Sequence, residues 1–295
     1  PRSTLFPYTT LFRSDPFTRN LIGSSAARAF KKFPVLIYWL EYNINHEQSG
    51  IAPIDDSCEA ATNLVRFKQL FHRLVAQGIN GYLGREGAVF SSRSRDVHCV
   101  DNESVEDRYF YALLNPVKDG LCDRIRHWGG VSTWAAFAEG KRERYTYIDC
   151  TAWHRKGGKR SKTPKESFEK TISLQFAVLP GWEKLTASQR QTRIRRRVRE
   201  LEQHYRAERE AAGRFAMTPE RMAKVDHRDR PKTRPAKTRK PLCHAASMDA
   251  AERYKAAHQS FLLAYHLSSN CYLKGWFDVE FPRGSFRPPL IVAAA

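Results

Sequence analysis

The chain has 295 residues, enough to bury a core and to hold one large or two smaller domains. Its 50 Lys and Arg against 31 Asp and Glu leave a net charge of +19, with a pI near 9.9. That excess sets aside enzymes of small metabolites and points to a polyanion, nucleic acid first and an anionic membrane surface second. No apolar run reaches the length of about 18 residues that a spanning helix needs.

The six cysteines, Cys58, Cys99, Cys122, Cys150, Cys243 and Cys271, are widely scattered, and no Cys-x-x-Cys pair marks a structural zinc site. With no secretory pattern they read as reduced thiols of a cytoplasmic protein. Residues 4–14, Thr-Leu-Phe-Pro-Tyr-Thr-Thr-Leu-Phe-Arg-Ser, match the translation of a widely used sequencing adapter residue for residue. They lack the continuous apolar core of a targeting peptide. The expectation is therefore that the native amino terminus has been replaced and that 1–14 stand outside the fold.

Residues 20–33 read as a modest helix with Leu21, Ile22, Ala26, Ala27 and Phe30 near one face, broken by Pro34. The β-branched and aromatic run 35–40 has strand length and leads into a turn-like stretch at 43–50 that carries His46-Glu47-Gln48. A lone histidine in such a turn is ordinarily solvent-facing. Residues 57–82 form a clear amphipathic helix, with Leu64, Phe67, Leu70, Phe71, Leu74 and Val75 at the spacing of a helix that covers a sheet. The segment 95–100 alternates as a half-buried strand does, and a further helix begins at Glu103.

That helix carries the stretch on which a functional reading rests. Asn115 precedes Pro116 and should end it, because the residue before a proline is pushed out of the α region. Val105, Tyr109, Phe110, Leu113 and Leu114 fall on one broad face, whereas Tyr111 points away from it. An aromatic so aimed either packs on another element or has a chemical task. Tyr111-Ala-Leu-Leu-Asn115-Pro116-Val117-Lys118-Asp119-Gly120-Leu121 resembles the Tyr-x-x-x-Asn-Pro-Val-[Arg/Lys]-x-Gly-Leu signature of REP-associated tyrosine transposases, single-tyrosine enzymes of the His-hydrophobe-His group. Arg126-His127-Trp128-Gly129-Gly130-Val131 resembles the family's continuation, and the likeness spans residues 36–134.

The resemblance implies a ferredoxin-like antiparallel sheet with covering helices, an α+β fold whose first strand belongs upstream of Leu21, where this chain has the adapter-like sequence. It implies that Tyr111 attacks a phosphodiester of single-stranded or hairpin DNA, and that members often act as dimers. It also implies a strand carrying Asn-His-x-His, whose two imidazoles bind a divalent metal. Here His46 matches the first histidine and Gln48 stands at the second. A glutamine carbonyl can ligate Mg²⁺ or Mn²⁺, but less well than imidazole ligates Mn²⁺.

Residues 140–165 look like loop, with 156–164 as linker. The Gly-Lys-Arg order at Gly158 lacks the spacing of a phosphate-binding loop and a preceding apolar strand. Residues 171–178 alternate as a strand. Thr186 and Gln189 form a capping-box pattern that opens a helix with Ile194, Val198, Leu201 and Tyr205 on one stripe. Around that stripe lie Arg190, Arg193, Arg195, Arg196, Arg197 and Arg199, and from 183 to 240 there are 19 Lys and Arg against 8 Asp and Glu, a net +11. Charge so concentrated favours a phosphate-binding surface, with a solvated or membrane-lying helix as the alternatives.

Residues 228–241 read as a basic, proline-rich disordered linker. In the tail, Ala250, Tyr254, Ala257, Phe261 and Ala264 form a helical stripe, and Phe277, Val279 and Phe281 alternate as a strand. The expected organisation is thus an artefactual 1–14, a transposase-like domain at 15–155, a linker and strand at 156–185, a basic helix and linker at 186–245, and a helix and strand at 246–295. The expected activity is DNA strand cleavage and transfer, with a catalytically inactive, transposase-derived nucleic-acid-binding protein as the alternative.

Overall fold

A computed structural model describes residues 15–43, 46–90, 94–160, 162–217 and 241–289. The adapter-like segment 1–14 and residues 228–240 of the expected linker lie outside the described residues. The fold is mixed α+β. Among the described residues no helix is long and apolar enough to cross a membrane.

Helix α1 (Pro16–Lys32) starts four residues earlier than its apolar pattern suggests. Asp15 accepts from the Thr18 backbone N–H, and Pro16 supplies a preset first-turn φ. Strands β1 (Leu36–Tyr42) and β2 (Glu47–Ala52) pair antiparallel as a hairpin, with Tyr42 opposite Glu47 and Glu41 opposite Gln48. The stretch expected as a turn is therefore half strand, and His46 stands at its entry.

Helix α2 (Cys58–Leu83) is capped by Ser57, whose hydroxyl accepts from the Ala60 N–H at 3.0 Å. It ends on Gly84 in the left-handed region, at φ 59°. Phe67, Phe71, Val75 and Ile79 are buried at steps of four. Removing such side chains from water stabilises the fold by about 1.5–3 kcal/mol each. They pack in one cluster with Ile22 and Ala26 of α1 and Val35, Ile37 and Leu40 of the first strand region.

Residues 95–100 are corrected from a full strand to the two-residue β3 (His98–Cys99), which pairs parallel with β6 (Cys243–His244). Helix α3 (Asn102–Leu113) opens on a capping box from Asp101 and Ser104. A single turn, α4 (Asn115–Lys118), follows after Leu114. The expectation that Asn115 ends the helix is corrected: α3 stops at Leu113, two residues before it, and Asn115 is itself helical as the first residue of α4, with Pro116 in the first turn.

The loop expected over 140–165 is a correction. It contains β4 (Glu143–Ile148) and α6 (Cys150–Arg155), preceded by α5 (Trp134–Ala138). Strand β4 pairs antiparallel with β5 (Glu169–Leu174), so the strand expected at 171–178 begins two residues earlier and ends four earlier. Helix α1 lies on this pair at Gly23, where a Cβ would fall 2.1 Å from the Tyr145 ring. No side chain larger than hydrogen fits without displacing that ring. Beyond β5, the Ala177 N–H donates to the Ile37 carbonyl at 2.8 Å, while the β1–β2 and β4–β5 pairs remain separate two-stranded sheets.

Helix α7 (Ala187–Ala211) begins with the anticipated capping box, Thr186 with Gln189. Its Ile194 and Val198 enter a second core with Tyr109, Phe110, Leu113, Leu114, Val117, Trp128 and Trp182. Two buried polar groups fasten its far end: Glu202 accepts from the Ile125 N–H at 2.7 Å, and Arg209 donates to the Val117 carbonyl at 2.6 Å. Helix α8 (Met248–Leu273) is the anticipated tail helix, but Phe261, Leu263 and Leu267 are exposed rather than in a core. The expected strand at 277–281 is irregular chain, with Phe281 against the Tyr265 and Tyr272 rings.

Candidate nucleic-acid interface

The two halves of the transposase-like signature meet at His46. The backbone of Asn43 donates to the His46 carbonyl at 2.9 Å and closes the hairpin mouth. The imidazole Nε2 then lies 2.8 Å from Nδ2 of Asn115, 3.2 Å from Nδ2 of Asn43 and 3.3 Å from Nε2 of Gln48. Burial pushes the His46 pKa from 6.5 down to about 4, which keeps the ring neutral at pH 7. With its proton on Nδ1, such a ring has a single lone pair on Nε2, and the Asn115 amide N–H at 2.8 Å is the nearest donor to it. Asn115 is itself buried. It is held at the start of α4, which Pro116 and the Arg209 bond to Val117 fix in place.

Two strand positions separate His46 from Gln48, so the intervening Glu47 points the other way. Glu47 is buried, accepts from the Tyr42 hydroxyl at 2.8 Å and from Ser49 at 3.0 Å, and lies 3.0 Å from Nε2 of His72. Burial raises its pKa, but the nearby His72 and the three hydrogen bonds prevail and hold the carboxyl below its usual range.

Tyr111 faces a cavity of 530 Å³ that Gln48, Lys68, His72, Arg108 and His244 also line. It is thus clear of the buried face formed by Tyr109, Phe110, Leu113 and Leu114, as its helical phase requires. Arg108 and Lys118 each lie 5.0 Å from its ring centroid. Burial, with a smaller contribution from Asp119, raises the Tyr111 pKa above 10, and the Arg108 charge only partly offsets this. The cations favour phosphate nearby, while the ring's setting disfavours phenolate.

A divalent metal fits poorly here. The groups meeting at His46 Nε2 are one imidazole and three carboxamides, without the carboxylate that hard dications favour. Among the described residues, no three His, Cys, Asp or Glu side chains gather in a way that could hold a metal ion.

The α7 arginines divide by task. Arg193 forks onto Glu106 at 2.8–3.2 Å, Arg190 donates to the Leu185 carbonyl, and Arg195 donates to the Ala138 carbonyl. Arg197 pairs loosely with Glu200 at 3.5 Å. Arg196 and Arg199 are exposed. Part of the basic helix therefore holds the protein together, and the rest presents charge. Sequence reasoning missed Asn43, Arg108 and Lys118 as companions of the site. The spacing of three between Asn43 and His46, and of three between Arg108 and Tyr111, were the available signals. Comparison with protein-family models, with curated proteins and with solved structures finds no match.

Proposed function

We propose that this chain is a DNA-binding protein of the single-tyrosine transposase type, with Tyr111 presented to a phosphodiester of single-stranded or hairpin DNA. The observation that carries the reading is the convergence of the two motif halves: Asn115 lies 2.8 Å from His46, while Tyr111 and Gln48 line one cavity. A net charge of +19 and the Arg108 and Lys118 cations beside Tyr111 support a polyanionic ligand. The antiparallel pairs β1–β2 and β4–β5 supply strands that a ferredoxin-like sheet would use.

In the proposed reaction the Tyr111 phenolic oxygen attacks phosphorus. The P–O3′ bond breaks, the 3′-oxygen takes up a proton as the phenol loses its own, and the strand is left as a 5′-phosphotyrosine. Attack by a 3′-hydroxyl reverses the step at a new site and completes strand transfer. The protein supplies position and cationic surroundings, and covalent catalysis divides one displacement into two.

A second reading, DNA binding without cleavage, is favoured by a specific pair of observations. Amides occupy the neighbourhood of His46 Nε2, and burial raises the Tyr111 pKa. End-labelled hairpin DNA incubated with the protein and run on a denaturing gel separates the two. A protein-sized labelled adduct lost in Tyr111→Phe supports strand transfer. Retarded DNA on a native gel with no adduct supports binding alone.

A further inference from the structure

A second cavity, of 390 Å³, lies between α7 and the segment that leads into α5, apart from Tyr111. It is lined by five arginines, Arg124, Arg126, Arg195, Arg199 and Arg206, and by Trp134, whose ring also packs on the second core. Along α7 the lining residues Arg195, Arg199, Glu202 and Arg206 step by four, three and four, which is one face of a helix. That face is adjacent to the apolar stripe that anchors the helix, so packing of Ile194 and Val198 fixes where the guanidinium groups point.

Several of the groups are already oriented. Arg195 Nε donates to the Ala138 carbonyl at 2.8 Å, Arg206 Nε to the Glu202 carbonyl at 3.2 Å, and Arg126 Nε to His127 Nε2 at 3.1 Å. Each bond uses Nε and leaves terminal N–H groups for a ligand. Trp134 is held by its own Nε1, which donates to Glu139 at 3.0 Å. The one lining carboxylate, Glu202, is buried and engaged by the Ile125 N–H. Among the described residues, none of the five arginines is in a salt bridge.

We infer that this cavity binds one nucleotide of a DNA single strand, its phosphate among the arginines and its base on the Trp134 ring. The inference rests on the nucleic-acid reading above and adds to it a site separate from Tyr111. Guanidinium forks match phosphate oxygens bidentately, and an aromatic face accepts any base. The volume lies within the range of small-ligand pockets, about 300–1,000 Å³. A duplex keeps its bases stacked inside and offers Trp134 nothing, which selects an unpaired strand. A free mononucleotide has the same chemistry and is the other source of the ligand.

The test uses the full chain, a fluorescent twelve-residue oligo-dT strand and the mononucleotide dTMP. Arg199→Gln/Arg206→Gln should weaken strand binding about tenfold or more. It should also lower the slope of log affinity against log salt by about 0.7, for the one single-strand phosphate that the site holds. Trp134→Ala should weaken binding several-fold with the slope unchanged. The charge-matched Arg142→Gln/Arg144→Gln, two exposed residues just before and within β4, should do neither. Equal losses in the two arginine pairs would overturn the inference in favour of a general basic field, as would unaltered binding in Arg199→Gln/Arg206→Gln. Wild-type chain that binds no strand, yet whose tryptophan fluorescence responds to dTMP only while Trp134 is present, would retire the DNA reading and keep the site for free nucleotides. Strand binding that persists without Trp134 and the two arginines would keep the DNA reading and retire the site.

Discussion

Asn115 and His46 are 69 residues apart in the chain and in contact through their side chains, Nδ2 to Nε2 at 2.8 Å. The contact ties the turn after the Tyr111 helix to the mouth of the β1–β2 hairpin. Asn115 is buried, and removing its amide takes from the ring the nearest of its three amide neighbours and leaves a gap in the packing. Asn115→Ala should cost about 1–3 kcal/mol of unfolding free energy. A double-mutant cycle with His46→Ala should return a coupling of about 0.5–1.5 kcal/mol. Additive losses in urea unfolding would show that the pair is adjacent without interacting.

The same histidine makes stability depend on pH. Its folded pKa is about 4, below the ordinary 6.5, so between these values the unfolded chain takes up a proton that the folded chain refuses. Stability from this group is present above pH 6.5 and is lost as pH falls toward 4. The difference in unfolding free energy between the natural chain and His46→Gln should shrink across that window by up to roughly 3 kcal/mol. A pH-independent difference would mean that the ring titrates as it does in water.

Glu41 has the opposite effect. It is buried at 3 % exposure, and burial lifts its pKa to about 7, although Thr133 donates to its carboxylate through both the backbone N–H and the hydroxyl. An acid whose folded pKa is raised contributes stability below its unfolded value of 4.5, which is lost as pH rises through 7. Glu41→Gln keeps an oxygen for Thr133 and has no charge to bury. Its advantage over the natural chain should therefore grow from pH 4.5 to 7 by up to roughly 3 kcal/mol and then level off. Because the His46 and Glu41 windows overlap with opposite sign, the natural chain's own pH curve hides both. Only the variant differences, measured by denaturant unfolding, separate them.

What could be read ahead of the structure follows from how local each signal is. Helices α2 and α7 were legible because Phe67, Phe71 and Val75, or Ile194 and Val198, repeat at helical spacing behind Ser57 and Thr186 caps. The outward phase of Tyr111 was legible for the same reason. Strand β4 was not, because its inward positions include Glu143, an ordinarily exposed residue type that is buried here under the Tyr145 hydroxyl. The exposure of α8 was equally hidden: a stripe records which face is apolar, not whether anything covers it. Around His46 the decisive partners are uncharged amides: the spacing of three hints at Asn43, but nothing local joins the ring to Asn115, 69 residues away. The pairing of Arg193 with Glu106, 87 residues away, likewise turns an expected phosphate contact into an internal one.

The last prediction concerns Gln48, which stands where the transposase-like pattern has its second histidine. It lines the Tyr111 cavity and lies 3.3 Å from His46 Nε2, so a side chain at this position can reach both the ring and the cavity. With three carboxamides and one imidazole the natural chain should bind Mn²⁺ weakly, and with the Tyr111 pKa raised by burial it should form little or no covalent adduct. Gln48→His adds a borderline nitrogen donor beside the first. It should raise Mn²⁺ affinity by about tenfold or more, the scale on which one supporting group changes a metal site. If Tyr111 is otherwise placed to react, the labelled adduct on hairpin DNA should rise with it. Combining Gln48→His with Tyr111→Phe should abolish that adduct while leaving Mn²⁺ and DNA binding nearly unchanged, because the phenyl ring keeps its place between Arg108 and Lys118. An adduct that survives Tyr111→Phe would identify another nucleophile. Tighter Mn²⁺ binding without any adduct would place the obstacle at Tyr111 itself and leave this chain a binder of DNA.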